Sequence, residues 1–102
     1  MRPRKVNILG KNYTVEYCNT VAEVDESESS LCEGVALLRQ HRIRVHDGGT
    51  QDGQVWHTLV HEIIEVIASD LSLSSLTDNH DDLDRVACAL ADVLIRNRWL
   101  KP

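Results

Sequence analysis

The sequence predicts a single α+β domain, a small antiparallel sheet of about four strands packed with two helices. Short β-prone runs come first, at residues 6–9, 13–17, 35–38 and 43–45. Two segments with apolar residues at helical spacing follow, the first ending near Asp70 and the second beginning around residues 77–79. Strands that precede helices in this way are typical of α+β folds.

The chain has 102 residues, enough for one domain with one modest core. Residues 1–5 are expected to form a flexible tail. The acidic, serine-rich stretch at residues 19–34 is expected to be a solvated loop. A net charge of −5, without a Lys/Arg cluster beyond the N-terminus, argues against nucleic acid or an anionic membrane as the main partner.

The location is predicted from the cysteines and from apolar run lengths. Cys18, Cys32 and Cys88 are odd in number and widely spaced, which is typical of thiols in a reducing compartment. No apolar run approaches the roughly 20 residues of a spanning helix, and no signal-type core follows the basic N-terminus. A cytoplasmic protein is therefore expected.

The first helix carries a narrow polar stripe on an otherwise apolar surface. His57, His61 and Glu65 are four residues apart and so share one face, with Glu62 on the adjoining row. Such a helix should be largely covered, and buried imidazoles and carboxylates need partners. A divalent metal can serve as that partner, since both groups are standard metal ligands. The alternative is a solvated stripe on an amphipathic helix.

A third metal ligand is expected from the second helix or the loop before it. His80 is the candidate, and the connection of about ten residues can bring it back beside Glu65. The acids around His80 could orient its ring. These acids are Asp78, Asp81, Asp82 and Asp84. His57 is the rival third ligand.

A family resemblance rests on several of these segments. The chain resembles small phage- and prophage-encoded proteins of minimal zincin type in three segments. These are the run Leu59–Ile67 with its His61-Glu62-Ile63-Ile64-Glu65 motif, the loop Leu71–Ser74 and the final helix from His80 to Asn97. The strand Ile43–Val45 matches the strand that precedes the active-site helix in that family. The resemblance implies a short sheet, an active-site helix and one supporting helix.

Carried over by position, the resemblance implies that His61, Glu65 and His80 bind zinc and that Glu62 is the catalytic carboxylate. The motif departs from His-Glu-x-x-His at Glu65. The expected metal is zinc. Iron and manganese are alternatives, because two imidazoles and a carboxylate also suit these metals.

The expected activity is that of a zinc-dependent metallopeptidase. Three protein ligands leave a fourth position for water, whose pKa zinc lowers to about 7, and Glu62 takes its proton as it attacks a peptide carbonyl. In the zincins that the chain resembles, the substrate peptide pairs with the strand before the active-site helix. Here that strand would consist of Arg42, Ile43, Arg44, Val45 and His46. The alternative is a non-enzymatic metal-binding phage accessory or host-interaction protein.

Overall fold

The computed structural model describes residues 2–19, 34–49 and 51–97, and it confirms the α+β class with four strands. The strands are β1 (Lys5–Ile8), β2 (Lys11–Cys18), β3 (Gly34–Leu37) and β4 (Arg42–His46), with a 3₁₀ turn at Leu38–Gln40. The helices are α1 (Asp52–Asp70), the short α2 (Ser74–Thr77) and α3 (His80–Arg96). The solvated loop expected at residues 19–34 lies outside the described residues except for its two ends.

The sheet is mixed, with the strand order β1-β2-β4-β3. The outer pairs β1–β2 and β3–β4 are antiparallel, but the central pair β2–β4 is parallel. The prediction of a wholly antiparallel sheet is therefore wrong for this pair. Residues 19–41 separate the two central strands, which is longer than the dozen or so residues that a parallel connection requires.

The first hairpin joins β1 to β2 through the two-residue turn Leu9-Gly10. Leu9 and Gly10 both have positive φ, as a tight two-residue turn between right-twisted strands requires. The backbone N–H of Gly10 donates to the Asn7 side chain across this turn. Local turn chemistry therefore sets the register of β1 against β2.

The N-terminal residues are attached to the sheet, although residues 1–5 were expected to be a flexible tail. Lys5 already belongs to β1, and the carbonyl of Arg4 accepts a hydrogen bond from the N–H of Val15. The Arg2 guanidinium lies 2.7 Å from the Asp47 carboxylate and 5.7 Å from the Tyr17 ring centroid. From Arg2 onward the segment thus packs against β2 and the residues just before α1.

Helix α1 lies between the sheet and α3. One face contributes Val55, Trp56, Leu59 and Val66 to the main core, where they meet Ile8, Tyr13, Val15, Ile43 and Val45 of the sheet. Val60 packs on the other side against two small residues of α3, Ala87 and Ala91. These alanines are almost fully buried and let the two helix backbones approach closely.

Helix α3 begins where the sequence predicts. Asn79 caps it by accepting a hydrogen bond from the N–H of Asp82, and His80 is its first residue. Among the described residues, no helix is both long enough and apolar enough to cross a membrane.

Candidate metal centre

A cleft of about 420 Å³ runs along α1, between the edge strand β3 and the start of α3. Its walls come from Gly34, Val35 and Ala36 of β3, from Gln54, His57, Thr58, His61, Glu62 and Glu65 of α1, and from His80 and Asp84 of α3. Every metal-site residue predicted from the sequence therefore faces the same space. The predicted polar stripe is the floor of this cleft.

Three side chains in the cleft could hold a metal ion. His61, Glu62 and Glu65 each present one ligand atom, and these atoms all lie within 4.8 Å of one another. Nε2 of His61 is 3.8 Å from Oε2 of Glu65. This separation is close to the spacing of two ligands that share one ion at bond lengths of about 2.0–2.2 Å. The group could therefore accept a divalent cation.

The electrostatics of the cleft also fit a cation. Glu62 is only 5% exposed, and burial, the nearby charge of Glu65 and a hydrogen bond with the Glu65 side chain raise the pKa of Glu62 to about 8. None of the described residues that line the cleft is a lysine or arginine. A bound cation would supply the positive charge that these two carboxylates lack.

His80 is placed in the cleft but outside the tightest group. Its ring stacks on that of His61 at an interplanar angle of 17°, with the ring centroids 6.3 Å apart. The group whose ligand atoms lie within 4.8 Å of one another consists of His61, Glu62 and Glu65. It differs from the predicted ligand set because it contains Glu62 and not His80. His80 therefore remains a predicted ligand that faces the site from α3.

His57, the rival third ligand, faces a different neighbour. Its Nε2 atom lies 3.4 Å from Oδ1 of Asp84. This Nε2 atom is buried and makes no hydrogen bond within the described part of the chain. His57 is thus one helical turn away from the metal-capable group, beside a carboxylate of α3.

The predicted substrate strand is not available for strand addition. In β4, Arg42 to Val45 pair with β2 on one side and with Leu37 to Gly34 of β3 on the other, and His46 pairs with Cys18. The assignment of a substrate strand to Arg42–His46 is therefore wrong. The strand that borders the cleft is β3, an edge strand of the sheet formed by the described residues. The β3–β4 hairpin places β4 at the centre of the sheet and β3 at its rim.

Two contacts in the cleft were not predicted from the sequence, that of Gly34 with α1 and that of Asp84 with His61, although Asp84 was among the acids expected to orient the His80 ring. Gly34 begins β3, where a Cβ atom would meet Cγ2 of Thr58 at 2.7 Å and Oε2 of Glu62 at 3.1 Å. Asp84 reaches His61 across the α1–α3 interface, with Oδ1 at 3.2 Å from Nδ1. The one sequence signal for Asp84 is its position four residues after His80, which puts both on one face of α3.

Comparisons of the chain with protein-family models, with curated proteins and with solved structures gave no significant match.

Proposed function

We propose that the chain is a metal-dependent peptidase of minimal zincin type, with zinc as its metal and iron or manganese as alternatives. The observation that carries this proposal is the grouping of His61, Glu62 and Glu65 within 4.8 Å in a cleft bordered by an edge strand. The motif, the downstream His80 and the closing helix follow one another in an order that resembles the zincin pattern. This order supports the proposed activity. We also propose a cytoplasmic location, because the odd number and wide spacing of the cysteines are typical of thiols in a reducing compartment.

His61 and Glu65 would hold the metal, with His80 of α3 as the third ligand. When bound, a divalent metal supplies the Lewis acidity that activates water and polarises a peptide carbonyl. The neutral imidazoles and the Glu65 carboxylate are the donor types that zinc, iron and manganese accept.

Glu62 would hold and move the proton. Its side chain is buried beside Glu65, where its pKa of about 8 is raised mainly by desolvation. A neighbouring cation favours the carboxylate form and so lowers this pKa toward neutrality. A group with a pKa near the working pH serves best as a general base that later returns its proton to the leaving amine. A cation in the cleft would therefore bring Glu62 closer to this condition.

The edge strand β3 would bind the substrate peptide. Its residues Gly34 to Ala36 line the cleft beside Glu62, and main-chain hydrogen bonds to an edge strand select extended peptides with little regard to sequence. A second groove lies beside the end of this strand, along Ala36, Leu37 and the 3₁₀ turn Leu38–Gln40. The proposed substrate is therefore an unstructured peptide or a loop of a protein.

A non-enzymatic metal-binding module is the second candidate. The observation that favours it is the lack of lysine and arginine among the described residues that line the cleft, since neither side chain is there to stabilise a developing oxyanion beside the metal. A structural role for the metal needs no general base, so Glu62 distinguishes the two functions.

The test compares zinc-loaded wild type with Glu62→Gln on a broad library of unstructured peptides, with cut sites found by mass spectrometry. Because a general base contributes about 10²–10⁴-fold to rate, Glu62→Gln should abolish cleavage while it keeps the metal content of wild type. Chelation should abolish cleavage by wild type as well. If wild type gives no cuts above the Glu62→Gln background, the metal-binding module is the better assignment.

A further inference from the structure

Asp84 connects the two helices that line the cleft. Its Oδ1 atom lies 3.2 Å from Nδ1 of His61 and 3.4 Å from Nε2 of His57. One carboxylate oxygen of α3 therefore faces two imidazoles of α1. The close packing of Val60 on Ala87 and Ala91 brings α3 near enough for this contact.

The two ring nitrogens of His61 have different neighbours. Nδ1 faces Asp84 at 3.2 Å, whereas Nε2 faces Oε2 of Glu65 at 3.8 Å. A neutral imidazole has one N–H donor and one lone pair, and an ionised carboxylate can only accept. The hydrogen bond to Asp84 therefore requires the proton on Nδ1 and leaves the lone pair of Nε2 on the side of Glu65.

We propose that Asp84 is a positioning residue of the metal centre, which holds His61 in the Nδ1–H tautomer so that Nε2 can bind the metal. This inference rests on the proposed function, because it concerns the same site. A carboxylate that accepts from the far nitrogen of a ligand histidine also makes that ligand more basic, and its loss typically lowers metal affinity about 10–100-fold. His57 then lies beside the positioning carboxylate and outside the ligand set.

The experiment uses Asp84→Ala with Asp81→Ala as its matched control. Asp81 was among the acids expected to orient the His80 ring, but it is exposed and does not line the cleft, whereas Asp84 does. Both changes remove one negative charge from α3. Zinc affinity, measured by competition with a chelating dye, should fall about 10–100-fold for Asp84→Ala and stay within about twofold of wild type for Asp81→Ala. The zinc affinity of Asp84→Asn, which keeps an acceptor oxygen without the charge, should lie between the affinities of these two variants.

The tautomer is measured separately on the metal-free chains by ¹⁵N NMR at a pH where imidazole is neutral. In wild type and Asp81→Ala, Nδ1 of His61 should resonate as a protonated nitrogen and Nε2 as an unprotonated one. In Asp84→Ala, the proton should move toward Nε2. A loss of fold would instead appear as collapse of the amide spectrum, and because the Asp84 side chain is 56% exposed, the fold should persist.

The outcomes separate the two proposals. If wild type binds no zinc, the proposed function fails whatever the tautomer of His61. If wild type binds zinc and Asp84→Ala binds it equally well with an unchanged tautomer, Asp84 is not a positioning residue. An unchanged tautomer with weaker zinc binding would also overturn the inference, since Asp84 would then act on the metal directly.

Discussion

Gly34 packs directly on Glu62, so that a Cβ atom at Gly34 would lie 3.1 Å from Oε2 of the buried carboxylate. The same Cβ atom would lie 2.7 Å from Cγ2 of Thr58, a distance that real contacts do not reach. The first residue of the edge strand thus fixes how closely β3 approaches α1. Any movement of β3 at this point changes the surroundings of the proposed general base.

Gly34→Ala should lower the free energy of unfolding by about 1–3 kcal/mol, because overpacking forces the buried Thr58 and Glu62 side chains to shift. It should also lower peptide cleavage, because the displaced Glu62 is the proposed general base. Gly53→Ala is the matched control, since nothing lies within 4 Å of a Cβ atom there and the residue is helical. That variant should be up to about 1 kcal/mol more stable than wild type. Urea unfolding of both variants measures the difference, and equal stability of Gly34→Ala and wild type would contradict the tight contact.

The polar stripe of α1 could be predicted from the sequence because it depends on local periodicity alone. His57, His61 and Glu65 share a face in any helix, whatever packs around it. The start of α3 was also predictable, since it depends on acids in the first turn and on the capping residue before His80.

The sheet order could not be predicted in the same way. The alternation of Ile43 and Val45 with polar residues shows which face of β4 is buried, but it carries no information about which strands lie on either side. The family resemblance assigned the substrate strand to β4, the strand just before the active-site helix, although β3 is the strand at the rim of the cleft. The choice depends on a long-range pairing between β2 and β4.

The role of Asp84 was hidden for a related reason. Its contact with His61 exists only because α3 packs closely on α1 through Ala87 and Ala91, and helix-to-helix distance is a tertiary property. From the sequence, Asp84 is one of several acids in the first turns of α3, where the helix dipole already accounts for such residues.

The stability of the metal-free protein should depend on pH through Glu62. The carboxyl loses its proton near pH 4.5 in the unfolded chain but only near pH 8 in the folded one. Between these values the folded chain binds more protons, so its free energy of unfolding should fall as pH rises, by at most about 1.4 kcal/mol per pH unit. Below this range the contribution is constant, because Glu62 is protonated in both states.

Urea unfolding of metal-free wild type and Glu62→Gln between about pH 5 and 8 measures this effect. The glutamine cannot ionise, so wild type should lose stability relative to the variant as pH rises, and the contributions of groups remote from Glu62 cancel in the comparison. Saturating zinc should flatten the difference, since a cation favours the ionised carboxylate. Parallel curves without metal would show that Glu62 titrates alike in the folded and unfolded chains.

The ligand set should be resolved by single alanine substitutions in the cleft. His61→Ala, Glu65→Ala and His80→Ala should each lower both the bound zinc per chain and the rise in melting temperature on adding zinc, because a metal stabilises the fold that binds it. For wild type at a zinc concentration about 100 times Kd, the stabilisation is about 2.7 kcal/mol, or roughly 10 °C or more for a domain of this size.

His57→Ala is the control for these substitutions, since it removes an imidazole from the same face of α1 without touching the group around Glu65. This variant should have nearly the same zinc content and thermal shift as wild type. If His57→Ala instead loses zinc while His80→Ala retains it, the metal lies one helical turn earlier, between His57, His61 and Asp84. In that arrangement Asp84 would be a ligand and His61 would bind through Nδ1, because those are the atoms that lie 3.2–3.4 Å apart across the two helices. Elemental analysis of protein purified without a metal-affinity tag, together with thermal unfolding of the four variants, decides between the two positions.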